Sequence, residues 1–69
     1  MENWTVIYTT NKLYEAELVK EIMADNEVEC IVMNKQDSAY MFGDIELMVP
    51  LADEVRANEL ILEFKRESE

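Results

Sequence analysis

The chain contains no histidine, one cysteine, one glycine, one proline and only six basic residues. Each shortage narrows what it can be. Without histidine it lacks the commonest zinc ligand and the commonest general base, and a single cysteine cannot close an internal disulfide. Neither a metal-stapled nor a disulfide-stapled mini-domain is expected, and no catalytic, cofactor-binding or metal site is assigned. Six Lys and Arg stand against sixteen Asp and Glu, a net charge of -10. Nucleic-acid binding draws most of its affinity from cations set on phosphates, so DNA, RNA and anionic membrane are poor direct partners. The longest uninterrupted apolar run is four residues, too short for a bilayer span, and "MENWTV" lacks the basic region and apolar core of a secretory signal. A soluble, cytoplasmic protein is expected.

Sixty-nine residues make one domain, 1–69, with no linker, repeat or low-complexity tract. A core this small leaves little stability once chain entropy is subtracted, and with staples excluded, self-association is the remaining support. "WTVIYTT", Trp4 to Thr10, is rich in aromatic and β-branched residues and predicts the first strand. Ala16, Leu18, Val19, Ile22 and Met23 then share one helical arc opposite Glu17, Lys20 and Glu21, with Asn11 as N-cap and the end near Asp25 or Asn26. Asn26 is expected to take the left-handed conformation that ends many helices. "VECIVM", Val28 to Met33, predicts the second strand. "DIELMV" alternates Ile45, Leu47 and Val49 against Glu46 and Met48, which predicts a third strand buried on one face and stopped by Pro50. Asp53 is the cap expected for a second helix, whose inner face carries Ala57, Leu60, Ile61 and Phe64 and which runs to about Lys65.

The order β-α-β-β-α restricts the topology. A right-handed crossover sets the first two strands parallel, and the third returns antiparallel between them. The expectation is an α+β, ferredoxin-like split βαβ fold: a three-stranded sheet in spatial order 1-3-2, covered on one face by two helices. "RESE" is too charged to add a fourth strand, so the outer edge of the first strand stays open, undefended by Lys or Pro.

"WTVIYT", "YEAELVKEIM", "NKQDSAYMFGDIELMVP" and the spacing of Ala57, Leu60 and Ile61 together resemble a family of small bacterial domains described as prokaryotic signal-transducing proteins, of PII-like, ferredoxin-like fold. The resemblance spans nearly the whole chain. It implies that the loop from Asn34 to Gly43 is the positional equivalent of the loop with which PII regulators reach their partners. It implies no ligand, because the basic and glycine-rich nucleotide contacts of PII proteins are not found here. Family members often carry glycine where Asn26 and Glu27 stand, so this helix end departs from the pattern.

Within that loop, Asp37 and Ser38 suit side-chain bonds to nearby N–H groups, and Gly43 suits a positive φ where the chain rejoins the sheet. Tyr40, Met41 and Phe42 are large for a hairpin connection. They either fold back as a satellite core or form an exposed anchor for a partner. Strand alternation turns Val28, Cys30 and Val32 toward the helices with Ile45, Leu47 and Val49, and leaves Ile31, Met33 and Met48 on the opposite face as a second candidate contact surface. Leu51, Val55 and Leu62 form a further apolar stripe on the last helix.

Other chemistry is weaker. Cys30 in a strand reads as a small hydrophobe rather than a reactive thiol. Asp37 and Asp44 flank the loop without the spacing of a Ca²⁺ or Mg²⁺ site. Sixteen acids on so short a chain form chance pairs on any surface. The functional expectation is therefore a non-enzymatic regulatory or adaptor module that binds a protein partner or small ligand and self-associates. The alternatives are a structural homo-oligomer without ligand and, more remotely, a carboxylate-dependent enzyme.

Overall fold

A computed structural model describes residues 3–35 and 44–67. The elements are β1 (Trp4–Thr10), α1 (Leu13–Asp25), β2 (Ile31–Asn34), β3 (Ile45–Pro50), a 3-10 turn (Leu51–Asp53) and α2 (Glu54–Glu67). Both β1 and β2 pair antiparallel with β3, in the order β1-β3-β2, so the first two strands run parallel to each other as the crossover requires. This is the expected α+β fold.

The core lies on one side of β3. Ile45, Leu47 and Val49 are fully buried, and so are Ala16, Val19 and Met23 from α1 and Ala57 from α2, with Leu60 and Ile61 almost so. Ile7, Tyr8, Ile22, Cys30, Val32 and Phe64 pack around that set. Leu18 does not: it is 45% exposed, because the helix presents Ala16, Val19 and Met23 to the sheet and Leu18 falls beyond the edge of that arc.

Three local expectations are corrected. Lys12, in an extended conformation, stands at the N-cap of α1 in place of Asn11. The reason lies in Thr10, which is buried at the end of β1 and whose hydroxyl accepts the Lys12 N–H at 3.1 Å, fixing the turn one residue later. The carbonyl of Lys12 then accepts the N–H groups of Glu15 and Ala16.

The second correction is the length of β2, which begins at Ile31 rather than Val28 and runs on to Asn34. Its register sets Ile31 opposite Met48, so continuing the ladder backward would bring Glu29 opposite Pro50, which has no N–H to contribute. Val28 is nonetheless buried, drawn in by its N–H bond of 2.8 Å to the carbonyl of Met23.

The third correction concerns the end of α1. Asn26 has φ -107°, and the positive φ of 60° falls on Glu27. The Val28 N–H bonds to Met23 O and the Glu27 N–H to Ala24 O, which is the double bond of a Schellman motif with Glu27 in the left-handed position that glycine normally fills. Asn26 closes the end differently. Its Nδ2 donates to the carbonyl of Ile22 at 2.8 Å, and its Oδ1 accepts from Arg56 Nη2 at 3.2 Å, tying the end of α1 to the start of α2.

A side chain with a Cβ is strained in the left-handed region by about 1–2 kcal/mol, and glycine is not. Glu27→Gly is therefore expected to raise stability by on the order of 1 kcal/mol in urea unfolding, after allowance for the freer unfolded chain. A loss of stability would show that the Glu27 side chain contributes more than its backbone costs.

Candidate functional site

Directly opposed residues in a ladder share a face, so the pairing register states which side chains meet on the uncovered side of the sheet. Met48 stands between Val6 on β1 and Ile31 on β2, giving an apolar row that crosses all three strands. Glu46 stands between Thr9 and Met33, and Pro50 pairs with Trp4, which bound the row at its two ends. Val6 is 42% and Met33 38% exposed, while Trp4, Ile31 and Met48 are half-buried by their neighbours. Among the described residues no element covers this face.

A bulge decides which β1 residues follow Val6 on this face. Regular alternation would send Trp4, Val6, Tyr8 and Thr10 to one side, but the register shifts between Val6 and Tyr8. Ile7 and Tyr8 consequently both pack toward the helices, and Thr9 moves to the open side. The sequence placed Ile31, Met33 and Met48 on this face and the structure brings them together. It missed Trp4 and Val6, although their alternation with Thr5 and Ile7 was the available signal.

At the loop end of the face, the Lys35 N–H bonds to Asp44 O at 3.0 Å, and Lys35 Nζ pairs with Glu46 Oε1 at 2.9 Å. The side chains of this pair are 57% and 28% exposed, so the pair neutralises Glu46 more than it stabilises the fold. Tyr40, Met41 and Phe42, together with Asp37, Ser38 and Gly43, lie outside the described residues. On the covered side, Leu51, Val55 and Leu62 are 54%, 72% and 61% exposed, with Val55 and Leu62 on α2 and Leu51 in the 3-10 turn before it rather than on the helix.

The described side chains whose acidity the fold shifts are Cys30 and Tyr8. Among the described residues no cluster of acids and cysteine is disposed to hold a metal ion, and no pocket opens between the layers. Burial pushes the Cys30 thiol up, although Lys20 and the backbone near Met48 pull against it, so the group is held as a thiol. Tyr8 is the most strongly perturbed group, pushed up to about 12 by burial first and then by donating its hydroxyl to Glu15. Its ring meets Phe64 edge-on at 6.2 Å and 83°, and Lys65 Nζ lies 5.8 Å from its centroid. One side chain thus joins β1, α1 and α2.

The family model described as "putative prokaryotic signal transducing protein" matches residues 4–65. The chain belongs to that family. The match takes in β1, α1, β2 and β3 and reaches Lys65 in α2. No curated protein and no solved structure matches the chain. No helix among the described residues is long and apolar enough to cross a membrane.

Because the folded pKa of Tyr8 lies above the ordinary value of 10.0, its contribution to stability is complete below pH 10 and declines as the pH rises toward 12. An absorbance titration of tyrosinate is expected to show one late step near pH 12 that disappears in Tyr8→Phe. In the same variant the loss of stability between pH 10 and 12 becomes shallower. A wild-type titration from which Tyr8→Phe removes no late step would contradict the Glu15 contact.

Proposed function

We propose that this member of the signal-transducing family is a regulatory or adaptor module that works by binding and catalyses no reaction, and that its contact surface is the open sheet face. The observation carrying this reading is the row Val6, Met48 and Ile31, extended by Met33, on a face that no described element covers. Isolated apolar side chains are ordinary on protein surfaces, whereas a contiguous set on adjacent strands marks an interaction site. Met and aromatic side chains are also those enriched at interface centres, where they bury large area at modest entropy cost.

The non-enzymatic part is supported by composition and electrostatics. The chain has no histidine, and the thiol of its one cysteine is disfavoured as a thiolate. The cytoplasm is the proposed compartment, consistent with the acidic, span-free sequence. A protein partner is favoured over a small ligand because the described part of the face is broad and unpocketed, unlike the concave sites that enclose small molecules.

Affinity capture from a prokaryotic lysate tests the reading. The immobilised chain is expected to recover the same protein repeatedly, and Met33→Lys to reduce that recovery at least tenfold, because the new ammonium would be buried without a partner. Leu62→Lys, on the far side of the molecule, is expected to leave it unchanged. Equal recovery by both variants would move the contact surface away from the sheet.

A further inference from the structure

We propose that the open sheet face binds a second copy of this chain, face to face, so that the two sheets enclose a second apolar layer. The inference rests on the reading that this face is the contact surface and adds the identity of its occupant.

Charge is the first argument. Among the strand side chains of the face only Glu46 is charged, and Lys35 neutralises it at 2.9 Å. By contrast, α1 carries four acids against one base and α2 four against three. A partner of different kind that recognised this chain of net charge -10 would be expected to bring basic groups, and the centre of the face offers them nothing to pair with. A copy brings the same neutral row. With a two-fold axis near Met48, apolar side chains meet apolar side chains, and no unpaired charge enters the centre. Glu29 and Asp44, at the ends of the ladder between β2 and β3, are exposed and stay at the rim.

The edges supply the second argument. The sheet ends in β1 on one side and β2 on the other. The first is broken in its middle by the bulge between Val6 and Tyr8, and the second is four residues long and followed by Lys35. Bulges, short edge strands and lysine are the devices that discourage edge-to-edge pairing. Approach through α1 would set acid against acid. Of the sheet's surfaces only the face carries no such obstacle, and the exposed Leu51, Val55 and Leu62 on the helix side are the competing surface that Leu62→Lys tests.

Area sets the strength. Three strands about 4.8 Å apart, of seven, four and six residues at about 3.4 Å each, make a face that buries on the order of 300 Å² per copy, below the ~800 Å² of a standard interface. The dimer is therefore reversible and weak, formed at micromolar or higher concentration.

Sedimentation velocity on the full chain, from low to several hundred micromolar and in low and high sodium chloride, tests this. The mass is expected to rise from 8.1 kDa toward twice that value, and at lower concentration in high salt, because the rim acids and the net charge are then screened. Val6→Lys and Met48→Lys are expected to weaken the dimer at least tenfold while keeping wild-type circular dichroism, and Leu62→Lys to leave it intact. Should either lysine unfold the chain, Val6→Thr preserves the β-branched shape and is expected to weaken the dimer in smaller measure. A wild type that stays at one-chain mass throughout, or a dimer broken by Leu62→Lys and not by Val6→Lys, overturns the proposal. In the first case, loss of lysate capture in Met33→Lys would leave the face as a contact surface for another protein, and its persistence would remove both readings.

Discussion

The alternation of β3 is the constraint from which the rest follows. As the central strand it has a neighbour on each side, and its inward residues Ile45, Leu47 and Val49 are fully buried. A one-residue slip would exchange that set for Glu46, Met48 and Pro50, so the register is held firmly. Both helices cover the inward side because the dry side chains are there. The same register that makes one face a core makes the other a surface, on which Met48 stands half-buried.

Much of this was legible because period-two and helical patterns are strong in β3 and in α2. The register of β3 follows directly from Ile45, Leu47 and Val49, and the apolar character of the open face from Ile31, Met33 and Met48. The sheet order was read correctly, whereas several local features decided between elements escaped. The bulge at Ile7 has no local signal, since Val, Ile and Tyr suit a regular strand equally well, and it exists to let both Ile7 and Tyr8 reach the helices. The late start of β2 depends on which residue stands opposite Pro50, a register fact invisible along the chain. The left-handed residue is Glu27 and not Asn26, because Asn26 is engaged with Ile22 and Arg56. Leu18 kept the right period but sat outside the arc that tertiary packing selected.

Size gives the open face its significance. A chain of sixty-nine residues buries a limited core, and two of its fully buried side chains, Ala16 and Ala57, bring only a methyl each. Side-chain ties supplement it: Tyr8 joins three elements, Asn26 joins the helices to each other, and the Thr5 hydroxyl reaches Glu54 at 3.3 Å where α2 begins. None of these addresses the row Val6, Met48 and Ile31. Function by association fits a fold that keeps a contiguous apolar row on its open face, although Leu13, Tyr14, Leu18, Leu51, Val55 and Leu62 are exposed on the helix side. Whatever covers the sheet also removes apolar area from water and so adds to stability.

The most direct measurement is a dilution series followed by two-dimensional nuclear magnetic resonance of backbone amides and methionine methyls. The account predicts that shifts changing with concentration cluster at Val6, Ile31, Met33 and Met48, with Val19, Leu60 and Leu62 unmoved. Changes confined to Leu51, Val55 and Leu62 would contradict it and transfer the contact surface to α2.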